Sequence, residues 1–183
     1  MFFALWPDAA LQQSLAATTR GVVAAAGGRP IPPDNFHVTL AFLGSVPEAR
    51  ISDVAAIGVD VASRVTLPRV GVALNGIEYW KKPKVLVATA GPGTDNASLA
   101  NVLARVLESR LTDAGFTPNL AEEFRPHVTL ARKVVHPVRS SAIQPLPWSF
   151  TDFALVESRT EPGGSIYTVL QSFPLGARGA GDR

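Results

Sequence analysis

Apolar and polar positions alternate along two short segments of the chain that contain the same four residues. The first segment runs from Phe36 to Leu43 and the second from His127 to Ala131, and each contains His-Val-Thr-Leu. Both segments carry β-branched or apolar residues at the positions expected to pack, and such residues favour strands. Because side chains alternate faces along a strand, each histidine shares a face with its threonine, while valine and leucine face a core.

The remaining pattern predicts the order strand, helix, motif strand in each half of the chain. Asp8 is the expected N-cap of the first helix, and Gly27 and Gly28 are its stop signal. The motifs lie 90 residues apart (127 − 37 = 90), close to half of 183, which favours two quasi-equivalent lobes. The predicted strands cover 2–6, 70–80, 84–90, 148–157 and 166–173, the predicted helices cover 9–26, 47–64 and 97–114, and turns are expected at 91–93 and 162–164.

These elements predict an α+β fold in a single bilobal domain over residues 1–183. We expect packed sheets with helices on their outer faces, and both motif strands lining a central groove. Polar and glycine residues at about 176–183 predict a frayed, disordered tail. The repeated histidine and threonine side chains would then meet in the groove between the lobes.

Composition narrows the classes of function. With 183 residues, 46% of them hydrophobic, the chain is long enough for a real core. It contains no cysteine, so disulfides, thiol nucleophiles and cysteine-based zinc sites are excluded, which fits a cytoplasmic location. No basic signal region or membrane-length apolar run is present, so we expect a soluble protein with no membrane partner. A net charge of +2 leaves only local groups, such as residues 81–84, to attract phosphate.

Two imidazoles facing one another across a groove suit displacement at phosphorus. The reaction proceeds in line, so a base and an acid belong on opposite sides, and histidine serves as either near pH 7. The hydroxyls of Thr39 and Thr129 would donate hydrogen bonds to the phosphate oxygens. No metal is required if the substrate is a strained cyclic phosphate. A lone strand histidine is more often structural, but the duplication of His37 as His127 favours catalysis.

Other polar and aromatic residues are weaker candidates. Arg132 lies five positions after the second histidine, where a guanidinium could clamp a phosphate through two hydrogen bonds. Arg125 precedes a proline and fits a scaffold group better than a substrate contact. Phe42, Trp80 and Tyr167 could stack on a base, although core packing is the more common role of such rings.

Two rival classes of function remain open. A binding module would grip a cyclic phosphate or an RNA end with the threonines and the arginine, and would not need two titrating imidazoles. A metal hydrolase would use His37, His127 and perhaps the loop residue His136, but no nearby His-x-x-x-His or acidic cluster supplies the usual ligand spacing. The metal reading ranks lowest, and we predict no metal and no cofactor.

The two motifs and their flanks closely resemble those of the 2H phosphoesterases. The resemblance rests on Asn35 to Gly44 (Asn-Phe-His-Val-Thr-Leu-Ala-Phe-Leu-Gly) and on Arg125 to Arg132 (Arg-Pro-His-Val-Thr-Leu-Ala-Arg), and it covers nearly the whole chain. Within the superfamily, the chain looks like an RNA 2′,3′-cyclic phosphodiesterase, a family historically called 2′-5′ RNA ligase. The resemblance implies a pseudo-two-fold fold with two antiparallel sheets facing the groove.

The same resemblance implies an activity and its roles. RNA or oligonucleotide ends bearing a 2′,3′-cyclic phosphate would be hydrolysed to 2′-phosphomonoesters by two histidines without metal, and the protein would act as a monomer. His37 would be the proton donor and His127 the proton acceptor. The residues alone leave the orientation open, because the two motifs are identical. Another 2H activity, on 2′-5′ linkages, cyclic mononucleotides or ADP-ribose cyclic phosphate, also stays open.

Overall fold

The computed structural model describes residues 1–65, 68–90, 95–119, 124–161 and 164–176, with the backbone alone at 95–98. Within these ranges the chain forms an α+β fold, as predicted. The helices are α1 (Ala9–Ala26), α2 (Ile51–Arg64) and α3 (Asp95–Asp113), with short 3-10 helices at Pro33–Asn35 and Glu48–Arg50. The strands are β1 (Phe2–Leu5), β2 (Arg29–Pro30), β3 (Val38–Phe42), β4 (Val70–Trp80), β5 (Val85–Thr89), β6 (His127–Arg132), β7 (Ser141–Phe150), β8 (Asp152–Glu161) and β9 (Gly164–Pro174).

The strands form two antiparallel sheets, each carrying one copy of the motif. The first sheet has the strand order β3-β1-β8-β9 and contains the first motif strand, and the second has the order β2-β6-β5-β4-β7 and contains the second. The lobes are not simply the two halves of the chain. Strand β1 pairs with β8, as in Phe2 opposite Val156, and β4 pairs with β5 through a hairpin that closes at Trp80 and Val85. Each sheet therefore combines strands from both halves.

Helix α1 begins and ends where the sequence predicts. The Asp8 carboxylate accepts a hydrogen bond of 2.8 Å from the Leu11 backbone N–H, which satisfies one of the free donors of the first turn. Gly27 follows the helix with a φ of 63°, a backbone conformation that glycine adopts without steric penalty. The helix links β1 to β2 and so spans from the first sheet to the second.

One predicted strand is wrong. The predicted strand over 148–157 is interrupted, because β7 ends at Phe150 and β8 begins at Asp152. Strand β7 also starts earlier than the pattern indicates and contains Pro145 and Pro147. It lies at the edge of its sheet and pairs only with β4, where a missing N–H is tolerated. The predicted turn at 91–93, residues 162–163 of the next turn, and the tail over 177–183 lie outside the described residues.

The alternation of the motif strands is confirmed by their burial. Val38, Leu40, Val128 and Leu130 are fully buried in the main core. A second, smaller apolar cluster lies on the opposite face of the first sheet. It consists of Phe2, Ala4, Ala154 and Val156, with Trp6 and Tyr167 packed against it. The second cluster turns out to border the groove.

We expect Gly58→Ala to destabilise the protein. A Cβ atom at Gly58 of α2 would lie 2.5 Å from the Phe173 ring, which is buried and stacked on Phe153 at 5.1 Å and so cannot move aside. Such overpacking costs about 1–3 kcal/mol of unfolding free energy. Gly21→Ala in α1 is the matched control, since nothing lies within 4 Å of its added Cβ and alanine should gain up to about 1 kcal/mol there. Urea unfolding measures both, and equal effects would contradict the account.

Candidate active site

Both motifs meet at one cavity between the two sheets. The cavity is lined by His37 and Thr39 from the first motif and by His127 and Thr129 from the second. Ile31, Asn35, Arg132 and Tyr167 complete its wall. Among the described residues, neither threonine hydroxyl forms a hydrogen bond with a protein group. Both hydroxyls are therefore available to a ligand.

The two histidines are held in the same way. The Nδ1 of His37 lies 2.7 Å from the carbonyl oxygen of Asn35, and the Nδ1 of His127 lies 2.8 Å from that of Arg125. A carbonyl only accepts, so Nδ1 carries a hydrogen in each ring. When the ring is neutral, Nε2 then has a lone pair and can accept a proton, and when it is charged Nε2 can donate one. Each imidazole can therefore transfer a proton through Nε2.

Aromatic rings surround His37. Its imidazole stacks on Phe2 at 4.8 Å between centroids and on Trp6 at 5.2 Å, and the edge of Tyr167 lies at 5.3 Å. Burial lowers the pKa of His37 to about 4, against the raising effect of its hydrogen bond to the Asn35 carbonyl, with smaller lowering effects from His127 and Arg132. The ring is therefore neutral at pH 7 in the free protein.

Polar residues surround His127. Its ring contacts that of Trp80 at 4.5 Å, and the Trp80 indole N–H donates a 3.0 Å hydrogen bond to Glu78. The other Glu78 oxygen accepts hydrogen bonds from Arg125 at 2.6 Å and from Thr89 at 3.2 Å. Burial lowers the pKa of His127, the bond to the Arg125 carbonyl raises it, the Arg125 charge lowers it, and the Glu78 carboxylate raises it.

Arg132 brings positive charge to the groove. It is exposed at the end of β6 and lines the cavity beside the histidines. Its positive charge contributes, as the smallest of the causes, to the lowered pKa of His37 on the other side of the groove. In the part of the chain that the structure describes, its guanidinium forms no ion pair with a carboxylate. A phosphate group in the cavity would meet this charge directly.

The structure brings together six of the predicted site residues and leaves three outside the cavity. His37, Thr39, His127, Thr129, Arg132 and Tyr167 line the same cavity. Arg125 is engaged with Glu78, Phe42 is exposed and bridges to Asn119, and Trp80 lies against His127, and none of the three lines the cavity. The grouping of His37, His127 and His136 as metal ligands is not formed. Among the described residues, no group of three or more His, Cys, Asp or Glu side chains is placed to hold a metal ion.

Sequence reasoning missed several residues of the site. Phe2 and Trp6 stack on His37, whereas the pattern predicts only a strand over 2–6 and no role for its side chains. Their even spacing along the predicted strand 2–6 is a signal that could have found them, because alternation places them on the face opposite Phe3 and Leu5. Glu78 has no comparable signal, since one carboxylate on a long strand is ordinary.

The chain matches known proteins over nearly its whole length. A family model described as LigT like Phosphoesterase matches residues 5–87, which include the first motif. An RNA 2′,3′-cyclic phosphodiesterase of Thermus thermophilus is 32% identical over 179 residues, covering 96% of this chain and 89% of the relative. The chain belongs to the LigT-like phosphoesterase family.

Solved structures of the family share this fold. A crystal structure from Thermus thermophilus superposes with a TM-score of 0.75 at 30% identity, covering 96% of this chain and 97% of that one. Escherichia coli LigT complexed with 3′-AMP superposes with a TM-score of 0.77 at 26% identity, covering 95% of this chain and 96% of that one. This LigT-like phosphoesterase therefore has the α+β fold of two antiparallel sheets that the resemblance implied. Among the described residues, no helix is long and apolar enough to span a membrane.

Proposed function

We propose that this LigT-like phosphoesterase hydrolyses 2′,3′-cyclic phosphate ends of RNA to 2′-phosphomonoesters. The observation that carries the proposal is the cavity itself, where two imidazoles with the same fixed tautomer meet two threonine hydroxyls that bind no protein group. The name of the Thermus thermophilus relative and the 3′-AMP bound to Escherichia coli LigT support a nucleotide substrate. Hydrolysis of the cyclic phosphate needs one acid and one base, and the site supplies both.

His127 acts as the proton acceptor and His37 as the proton donor in this proposal. The Nε2 of His127 takes a proton from water as its oxygen attacks phosphorus. The bond between phosphorus and the 3′-oxygen breaks, and the Nε2 of His37 gives its proton to that oxygen. Thr39 and Thr129 donate hydrogen bonds to the non-bridging oxygens as negative charge grows on them. The products carry a 2′-phosphate and a 3′-hydroxyl, and the histidines return to their starting states by exchange with solvent.

The donor role requires that His37 gain a proton when substrate binds. Burial keeps it neutral in the free protein, but a bound phosphodiester anion raises the pKa of a nearby imidazole. The faces of Phe2 and Trp6 on the ring also favour its charged form, since an imidazolium is attracted to an aromatic face. Substrate binding and protonation of His37 are thus coupled.

We predict that kcat/KM traces a bell with its optimum below pH 6.5. Burial lowers both imidazole pKa values from 6.5 in the free protein, that of His37 to about 4. Because one imidazole must be neutral and the other charged, activity falls below the lower and above the higher of these values, which belong to the coupled pair. The bound anion raises both, so kcat should peak at a higher pH than kcat/KM.

Rates measured from about pH 3 to about pH 9, with recovery of activity at neutral pH checked after the acidic points, test this prediction. A flat profile with chemistry shown to limit turnover would falsify the two-histidine mechanism. Loss of the acidic limb in His127→Ala, and of the alkaline limb in His37→Ala, is expected for the proposed orientation. The reverse pattern would exchange the roles of acid and base.

Turnover of short RNAs tests the function itself. One RNA ends in a 2′,3′-cyclic phosphate and its control ends in a 3′-phosphate, and the products are resolved by mass and by phosphatase sensitivity. We expect a 2′-phosphate product from the first, with a rate unchanged by EDTA. Loss of the activity in EDTA with rescue by zinc would favour the metal hydrolase. Binding without turnover would identify a binding module.

We propose a single bilobal domain, because both sheets contain strands from the two halves of the chain. The substrate contacts of Arg125 and Phe42, the monomeric state and the cytoplasmic location stay predictions from the sequence.

A further inference from the structure

A second cavity opens beside the catalytic one. The two share Ile31, Asn35, Arg132 and Tyr167, so a ligand can extend from one to the other without leaving the surface. Beyond these shared residues the second cavity is lined by Arg29, Pro30, Pro32, Gly164 and Ser165. It therefore has apolar walls and an added guanidinium on the side away from the histidines.

Arg29 and Arg132 are direct neighbours across two strands. They occupy paired positions of β2 and β6, where side chains on one face lie about 5 Å apart at their Cβ atoms. Two guanidinium groups at opposite positions of neighbouring strands concentrate positive charge at this wall of the cavity, and their mutual repulsion would be reduced by a bound anion. Gly164 lies close to Arg29, since a Cβ added there would come within 2.9 Å of its Nη2. The absence of a side chain at Gly164 leaves room for the guanidinium beside the cavity.

We propose that this second cavity binds the internucleotide phosphate on the 5′ side of the terminal nucleoside, with Arg29 as its main contact. The proposal rests on the proposed function. With the cyclic phosphate between the histidines, the RNA chain leaves the catalytic cavity along the wall that Arg132 and Tyr167 share. The next phosphate then comes to Arg29, and the enzyme prefers an oligonucleotide to a cyclic mononucleotide.

A neutral linkage tests the contact. Two dinucleotides ending in 2′,3′-cyclic phosphate are compared, one with a normal internucleotide phosphate and one with an uncharged methylphosphonate. For the unaltered protein we expect kcat/KM to fall about tenfold with the methylphosphonate, as when one charge-assisted hydrogen bond is lost. Arg29→Gln should lose about as much on the normal dinucleotide and should no longer distinguish the two. On a cyclic mononucleotide, which has no internucleotide phosphate, Arg29→Gln and the unaltered protein should have the same kcat/KM.

Two controls separate this proposal from the proposed function. Arg20→Gln, at an exposed position of α1 outside both cavities, should behave as the unaltered protein. The dissociation constants of the matching 2′-phosphate products are measured as well, so that the subsite is tested even without turnover. The subsite proposal would be overturned if Arg29→Gln still preferred the phosphate-linked dinucleotide to the methylphosphonate. Equal kcat/KM of the unaltered protein on both dinucleotides would also overturn it. No turnover of any cyclic phosphate would instead overturn the proposed function.

Glu78 binds both residues that hold His127 in place, Trp80 and Arg125. Its carboxylate accepts hydrogen bonds from Trp80, whose ring lies against the imidazole, and from Arg125, whose carbonyl accepts from the imidazole Nδ1. Thr89, buried behind it, donates a third bond. The His37 ring is instead held by aromatic contacts, with Phe2, Trp6 and Tyr167.

We infer that Glu78 is a positioning residue that distinguishes the two identical motifs. It orients the His127 ring through Trp80 and Arg125 and adds negative charge on the His127 side of the groove. The titratable and charged groups around His127 are Glu78 on β4, Arg125 before β6, Arg132 at the end of β6, and His37 across the groove. Loss of the carboxylate charge should favour the neutral form of His127 and change proton transfer more than substrate binding.

Glu78→Gln preserves the shape and removes the charge. We expect kcat to fall about tenfold or more with little change in KM, because the amide nitrogen of glutamine cannot accept a bond from Trp80 or Arg125, and the base then moves by a fraction of an ångström. The His127 limb of the pH profile should move to lower pH while the His37 limb stays. NMR titration of the His127 ring reports the same shift in the absence of substrate. Glu48→Gln, an exposed control, should change neither. An unmoved His127 titration in Glu78→Gln would overturn the assignment.

Discussion

Replacing either groove histidine by alanine should reduce kcat by about 10²–10⁴ while substrate binding persists. His37 and His127 are each fixed through Nδ1, so their free Nε2 atoms perform the two proton transfers of the proposed reaction. Proton transfer occurs only in the transition state, and its loss therefore appears in kcat more than in KM. Steady-state rates on an RNA ending in 2′,3′-cyclic phosphate measure the effect.

The third histidine provides a matched control. His136 is exposed in the segment that follows β6, where its backbone N–H donates to the Ala26 carbonyl at the end of α1. It does not line the catalytic cavity, so His136→Ala should retain the full rate. A folded His37→Ala or His127→Ala protein with near wild-type kcat would show that the acid–base pair is wrong.

Removing one threonine hydroxyl should reduce kcat by about 10², the usual loss when one donor to a developing negative charge is removed. Thr39→Val and Thr129→Val keep the size and branching of the side chain. Both hydroxyls lie in the cavity and bind no protein group in the described ranges, so their removal leaves no protein partner unsatisfied. The fold should be unaffected, and the loss should appear in the chemical step.

Serine at the same positions separates the hydroxyl from the packing. Thr39→Ser and Thr129→Ser retain a donor and should recover most of the rate, whereas a purely structural role would make serine and valine equally harmful. Thermal unfolding of all four variants checks that stability is unchanged. Equal activity of the valine variants and the unaltered protein would show that the hydroxyls do not bind the phosphate in the transition state.

The sequence predicts the site through local periodicity. The i, i+2 spacing of histidine and threonine placed both pairs on one face, and the buried Val38, Leu40, Val128 and Leu130 confirm the other face. Helix α1 was equally predictable, because its cap and its stop are local signals at Asp8 and Gly27. Such features depend on a few neighbouring residues and need no knowledge of the rest of the fold.

Features that depend on distant strands could not be predicted in this way. The chain contains no glycine or proline at the break between β7 and β8. The pattern therefore predicted a single strand where the structure has parts of two. The edge position that tolerates Pro145 and Pro147 follows from pairing with β4, about 70 residues earlier. The contacts of Glu78 likewise join residues from three segments, and each is ordinary by itself.

The pairing of β1 with β8 affects when this protein can become active as it is synthesised. Phe2 pairs with Val156, and Tyr167, which meets the edge of His37, lies on the adjacent β9. A nascent chain that has passed the first motif cannot yet complete the surroundings of that histidine. Contacts so distant in sequence form late and slow folding. Hydrolysis of cyclic phosphates should therefore begin only after the last strand has left the ribosome, and fragments ending before β8 should be inactive even though they contain both motifs.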